Sequence, residues 1–202
     1  MSDLVLSRGR ALVVVAHPDD ETIWMGGTIL ANPQTKWTIF SLCRADDKDR
    51  APKFRKVCKF LEVRAIITDL DDEEKLNLRE SLPEIRQRIR KVVGSARFDY
   101  VFTHGYNGEY GHPRHRGVSR VVREMVRSGE IKTKQLLNFS YEFDERRNLC
   151  RPKKADIFLK LSLALFKKKQ KVINEVYGFR KSTFEFKTLT KMEYFRTIKQ
   201  RV

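Results

Sequence analysis

The stretch Ala11 to Ala16 (ALVVVA) runs straight into His17 to Glu21 (HPDDE), and the fold follows from how these two pieces meet. The first piece is short, apolar throughout and β-branched, the composition of a central strand buried on both faces of a parallel sheet. The second begins where the strand pattern stops, just before helical periodicity over Ile23 to Ala31. Working outward, Lys36 to Cys43, Ala65 to Thr68, Tyr100 to Thr103 and Gln135 to Phe139 read as further strands. Helical patterns lie between them, at Pro52 to Leu61, Leu82 to Val93 and Pro113 to about Val126. Strands alternating with helices predict an α/β fold, a Rossmann-like three-layer sandwich around a mostly parallel sheet.

The length, 202 residues with 41% hydrophobic content, suits one domain over 1–202, with a core at about 10–140. A basic helical appendage is expected at about 151–202, where RPKK and KKKQK crowd a helical segment from Ile157 to Lys169. A solvated helix face is the ordinary reading of such a run, and anion binding the second. The balance of 42 Lys and Arg against 26 Asp and Glu gives +16, a field that attracts polyanions or anionic small molecules. Cys43, Cys58 and Cys150 are odd in number and widely spaced, which argues against a disulfide framework or a Cys-based finger and for a reducing cytoplasm. No apolar run approaches the ~18 residues of a spanning helix, and the N-terminus lacks a secretory core. The expectation is therefore a cytoplasmic protein with no transmembrane anchor; homo-oligomer formation stays open.

Two motifs carry chemistry. In AHPDDE, Pro18 keeps His17 extended and stiffens the turn, so His17 and Asp20 can converge at the carboxyl end of a strand, where open α/β sheets bind ligands. Both residue types are good zinc ligands. Adjacent Asp19 and Asp20 repel each other in a dry site unless a cation is present. Helix capping is the bland alternative, and it accounts for one Asp, not for the whole motif. In YGHPRH, Tyr110 to His115, Pro113 suits the first helical position and His112 the cap. His115 shares an inward stripe with Val118, Val122 and Met125, so it can point at a metal. Three protein ligands leave a position for water, and Asp19 is placed to take that water's proton.

The pairing of AHPDDE with a later HPxH resembles the LmbE-like, or PIG-L, family of zinc-dependent N-acetylglucosaminyl de-N-acetylases. The resemblance covers most of the Rossmann-like core, and reaches more weakly to a helix ending in Lys169 and Gln170. It implies His17, Asp20 and His115 as zinc ligands and Asp19 as general base. It further implies that His112 stabilises the oxyanion or acts on the leaving group, and that Tyr110 helps polarise the acetyl carbonyl. Arg44 resembles a substrate-binding Arg of some members, although SLCRADDKDR departs from the Gly-Glu-rich loop usual there. Arg114 stands where relatives often carry Asp. The implied activity is release of the N-acetyl group from a small-molecule amino-sugar substrate, and the positive charge is compatible with an anionic one.

Three other readings compete. Two His and a carboxylate also form the facial triad of non-haem iron oxygenases, but the alternation of strands and helices argues against their β-rich scaffold. A nucleic-acid binder is suggested by the charge and by pI ≈ 9.9, yet no helix-turn-helix, RNP-like or finger spacing supports it, so no specific nucleic-acid partner is expected. A catalytically silent metal- or anion-binding protein of the same fold would not need the intact Asp19 and Asp20.

Overall fold

The computed structural model describes residues 2–73 and 75–199; the expected domain limits, Met1 and Val202, lie outside them. Five strands follow the sequence reading: β2 (Arg10–Val15), β3 (Lys36–Cys43), β4 (Arg64–Leu70), β5 (Arg97–Thr103) and β6 (Lys132–Phe139), after a short β1 (Ser2–Asp3). Between them run α1 (Asp20–Ala31), α2 (Arg50–Phe60), α3 (Leu78–Val93) and α4 (Pro113–Arg127). The expected strands and helices are thus present, several of them longer than the sequence pattern showed. Asn77 opens α3 with a reciprocal capping box to Glu80, and Gly94 closes it at φ 49°.

The main sheet has eight strands in the order β1-β9-β10-β6-β5-β2-β3-β4, with β9 (Ile157–Lys160) and β10 (Met192–Ile198). Its pairings are parallel except around β10, which runs antiparallel to both β6 and β9. Strand β2 shows why the sheet is covered on both sides. Ala11, Val13 and Val15 pack with Trp24 and Ile29 of α1 and with Phe54 and Val57 of α2. Leu12, Val14 and Ala16 face the other way, into a cluster with Ile85 and Ile89 of α3 and Val118 and Val122 of α4. That is the predicted three-layer α/β architecture. The chain leaves β2 toward β3 and β4 on one side, then returns to lay β5 and β6 on the other. The resulting switch point opens a crevice beyond the carboxyl ends of β2 and β5.

The C-terminal region corrects one expectation. Ile157 to Lys169 is not one helix: Ile157–Lys160 is strand β9, and only Leu163–Lys171 is helical (α5), continuing as a π-helical turn over Val172–Val176. A four-residue apolar run beside a helix has no period of its own, so it reads as part of that helix. Nor is the basic run wholly solvated. Lys169 is fully buried and its Nζ donates to Glu193 Oε1 at 2.6 Å. Glu193 also accepts from the Gly27 and Thr28 N–H groups, just past the non-helical backbone of Met25 that kinks α1. The region completes the sheet and braces α1. Two further elements flank the crevice, the hairpin of β7 (Tyr141–Asp144) with β8 (Leu149–Pro152), and the short α6 (Phe184–Lys187). No helix of the described residues is long and apolar enough to cross a membrane.

Candidate metal centre

Beyond the end of β2 the backbone turns sharply: Asp19 sits at φ 113°, a conformation that L-residues rarely adopt and that costs about 1–3 kcal/mol. The strain is held from two sides. The Asp19 N–H donates to the buried Glu21 Oε2, and the Asp19 carbonyl accepts the N–H groups of Thr22 and Ile23. Tyr177, at the end of the π-helical turn, donates its hydroxyl to Glu21 Oε1. Asp19 makes no side-chain cap on α1, so the bland reading of this residue fails. Its Oδ2 instead accepts from Arg50 Nη1 at 2.7 Å. Asp20 is fixed through both oxygens, with Oδ2 accepting the His17 N–H at 2.8 Å and Oδ1 accepting the Trp24 indole N–H at 3.1 Å.

The turn brings three donor atoms together. His17 Nδ1 lies 3.1 Å from His115 Nε2, and Asp20 Oδ2 lies 3.4 Å from each. Each imidazole is anchored through its other nitrogen, His17 Nε2 to Asp72 Oδ1 at 2.8 Å and His115 Nδ1 to Glu109 Oε2 at 2.8 Å. When those nitrogens donate to the carboxylates, the lone pairs of His17 Nδ1 and His115 Nε2 both face the Asp20 oxygen. Three converging lone pairs repel unless a cation sits among them. Donor atoms around a tetrahedral zinc at ~2.0–2.1 Å stand about 3.3 Å apart, so the set fits the metal. Carboxylates behind ligating histidines are the arrangement that fixes tautomer and aim.

The titration behaviour shows how strongly the carboxylates here favour positive charge between them. His17 is raised to about 10: burial opposes the charged form, but the Asp20 and Asp72 carboxylates outweigh it. His115 is lowered by burial and by the charge on His104. This corner holds one positive charge readily and resists a second. Asp20 stays well below the usual carboxylate range despite burial, because His115 and His104 adjoin it. Asp19 is pushed well above that range by burial and by Asp20, with the Arg50 guanidinium pulling it back.

Three other donor groups cluster here, and the first of them, His17, His112 and His115, adds to two of the same histidines a ring whose Nδ1 already accepts the Arg114 N–H. Asp20, His104 and His115 include His104, a fully buried residue that follows β5 and that the motifs did not flag. Its Nε2 accepts the Ala16 N–H at 3.0 Å and its Nδ1 pairs with Glu109 Oε2 at 2.9 Å, so neither nitrogen is free. His17, Cys43 and Asp72 include a thiol that burial pushes well up, and a neutral thiol is a poor ligand. The set His17, Asp20 and His115 combines three facing atoms within 3.4 Å of one another with a carboxylate behind each imidazole.

His112 caps α4, its Nδ1 accepting the Arg114 N–H at 3.2 Å, and its ring meets His17 edge-on at 4.6 Å. Tyr110 packs its ring against His115 at 5.0 Å and against Phe184 at 5.2 Å. Arg44 is held by Asp72, with Nε at 2.8 Å and Nη2 at 2.5 Å. Sequence reasoning therefore placed six residues at one cavity (His17, Asp19, Asp20, Arg44, Tyr110 and His112), with His115 directly behind. It missed Asp72, Glu109, His104 and Arg50. The cavity is about 250 Å³, near the lower end of ligand sites, which run from ~300 Å³. Both arginines on its wall, Arg44 and Arg50, are already ion-paired to carboxylates.

Comparison with known proteins places this geometry. The family model described as PIG-L, GlcNAc-PI de-N-acetylase, matches residues 12–126, more than half of the chain, and the chain belongs to that family. An uncharacterized protein of Acanthamoeba polyphaga mimivirus is 23% identical over 130 residues, and the aligned stretch spans 56% of this chain and 56% of that relative. Among solved structures, the N,N'-diacetylchitobiose deacetylase of Pyrococcus horikoshii is similar with a TM-score of 0.67 at 16% identity, covering 94% of this chain and 83% of that one. A conserved protein of Thermus thermophilus gives 0.69 at 17% identity, over 95% and 96% of the two chains. GalB, the 4-carboxy-2-hydroxymuconate hydratase of Pseudomonas putida, gives 0.63 at 15% identity, over 96% and 97%.

Proposed function

We propose that this PIG-L family member is a zinc-dependent hydrolase that removes the N-acetyl group from an N-acetylglucosamine-containing substrate. The observation that carries the reading is the convergence of His17 Nδ1, Asp20 Oδ2 and His115 Nε2 within 3.4 Å of one another, in a family described as a de-N-acetylase. In this reading those three side chains hold the metal. Zinc bound by three such ligands supplies Lewis acidity and lowers the pKa of a bound water to ~7.

The chain's own residues then divide the proton traffic. Arg50 occupies Asp19 Oδ2 and leaves Oδ1 to take the proton of the attacking water. The water oxygen bonds to the acetyl carbon, the carbon–nitrogen bond breaks, and the water's two protons end on the leaving nitrogen, giving acetate and the protonated amine. His112 is suited to steady the oxyanion. Its Nδ1 accepts from the Arg114 backbone, so its ring proton sits on Nε2, and burial with the neighbouring His17 and His115 charge pushes its pKa down to about 4. It is thus a neutral donor at pH 7. Tyr110 is kept protonated by burial and by nearby carboxylates, a second donor for the acyl oxygen.

Arg44, expected as a substrate contact, lines the cavity and is also placed to steady His17 through Asp72. The reading treats the chain as one unit, because Tyr177 and Glu193 brace the helix that carries Asp20. The test is a panel of N-acetylglucosamine conjugates assayed for acetate. At least one should release acetate, and chelation or Asp19→Asn should remove the activity. Acetate release that survives both treatments refutes the mechanism.

A further inference from the structure

The rim of the cavity carries an aromatic shelf that joins Tyr110 to rings from beyond the family match at 12–126. Phe184 of α6 and Tyr110 line the cavity, their rings 5.2 Å apart at 70°. Phe143 of β7 continues the row away from the cavity, 6.0 Å from Phe184, and is 38% exposed, as is Tyr110. Other rings are more exposed, Phe60 and Tyr106 among them, but these three stand in one row at the rim of the cavity, and it is a contiguous apolar patch that marks a binding surface. The shelf is held as one piece. The Cys150 N–H of β8 donates to Thr188 Oγ1 just after α6, and Asn107 Nδ2, from the loop bearing Tyr110, donates to the Tyr141 carbonyl of β7. Beside Phe184, Glu185 also lines the cavity and has no hydrogen bond or ion pair among the described residues.

From this arrangement we infer that Phe143, Phe184 and Glu185 form a subsite for a second, uncharged pyranose ring, joined to the N-acetylglucosamine unit whose acetyl group reaches Asp19. The inference rests on the functional reading above and names the substrate class more closely. A cavity of about 250 Å³ has room for little more than one sugar ring, so whatever that ring is attached to must leave across the rim. A pyranose presents a C–H face that packs on aromatic rings and equatorial hydroxyls that donate to a carboxylate. An anionic aglycone fits poorly there, since Glu185 repels it and Arg44 and Arg50 are already neutralised.

The test is calorimetric titration of the zinc-loaded full chain carrying Asp19→Asn, which blocks turnover. The three ligands are N-acetylglucosamine, its β-1,4-linked dimer and N-acetylglucosamine 1-phosphate. The dimer should bind at least about tenfold tighter than the monomer. Adding Phe143→Ala or Glu185→Gln should each shrink that gap about threefold to tenfold, the scale of one aromatic or hydrogen-bonded contact. Thermal unfolding checks that both variants, altered at partly exposed positions, remain folded. Equal affinity for dimer and monomer overturns the subsite, as do a gap unchanged in both variants, tightest binding of the phosphate, and no binding of any ligand. Discrimination in binding with no acetate release by the unaltered chain sinks the hydrolase reading alone. Acetate release from both sugars without discrimination sinks the subsite alone.

Discussion

Replacing Glu109 by Gln tests the supports of the metal centre without touching a proposed ligand. Glu109 is buried at φ 55° and its two oxygens take three donors: Oε2 pairs with His115 Nδ1 at 2.8 Å and His104 Nδ1 at 2.9 Å, and Oε1 accepts the Gly105 N–H at 2.6 Å. An amide keeps one acceptor. Whichever way it turns, its NH2 faces either the Gly105 N–H or both histidines, leaving at least one buried donor unpaired at about 1–3 kcal/mol. His115 also loses the charge that fixes its proton on Nδ1. Loss of such a support lowers metal affinity about 10–100-fold, or about 1.4–2.8 kcal/mol. Competition of the metal-free protein with a chromophoric chelator measures the zinc affinity, and thermal unfolding of the same sample measures the structural cost. Zinc affinity equal to that of the unaltered chain would refute the claim that Glu109 aims His115.

Three further substitutions probe the frame. Trp24→Phe removes the indole donor to Asp20 Oδ1, a hydrogen bond to a charged group worth about 1.5–3 kcal/mol, and the same chelator assay should show zinc affinity lowered about tenfold or more. Lys169→Met leaves Glu193 charged and fully buried with only backbone and hydroxyl donors; urea denaturation should show a loss of about 3 kcal/mol, and a neutral result would mean that the pair does not brace α1. Glu130 pairs with Arg86 and Arg90 at 2.6 Å, and hydrogen bonds from Arg90 and Ser128 hold its carboxyl below the ordinary 4.5. A depressed folded-state pKa gives stability that is present above the unfolded value and lost as pH falls. Glu130→Gln should therefore cost about 0.5–1 kcal/mol at pH 7 and nothing once the pH falls below the folded-state pKa; a cost independent of pH would show that charge is not the cause.

Much of this site is legible in the sequence, for reasons that differ residue by residue. A buried parallel strand has to be continuously apolar, which exposes ALVVVA, and the crowding of His17, Asp19 and Asp20 at its end has no bland account. His115 announces itself by sharing a stripe with Val118, Val122 and Met125, all buried beside it. The missed residues lack such marks. Asp72 lies in the acidic run DLDDEE, which resembles any solvated loop, and Glu109 is one acid in a glycine-rich loop. Arg50 reaches Asp19 from 31 residues away, a contact that no local pattern encodes. His104 carried the one usable signal: it directly follows β5, which pairs with β2 at the switch point, so the rule that directs ligands to that crevice singles it out. The C-terminal strands were hidden because Ile157–Lys160 borders a helix and its partner β10 lies more than thirty residues on.

The chemistry has to be argued from the side chains, because the scaffold does not fix it: a hydratase and a deacetylase both superpose on this chain with TM-scores above 0.6. What separates hydrolysis from mere metal holding is Asp19. A residue needed only to start α1 would cap it, and this one does not. A carboxylate needed only to balance Arg50 could sit on the surface with relaxed backbone. Instead Asp19 is buried, strained at φ 113°, fastened by Glu21 and Tyr177, and pushed toward its protonated form by that burial and by the neighbouring Asp20. A carboxylate with a raised pKa holds a proton more readily than an ordinary one, as a group proposed to take the proton of a water must. Strain of that size persists only where the surroundings over-determine it, as Glu21 and Tyr177 do here, and the proposed role of Asp19 as base at the proposed metal site gives that strain a function.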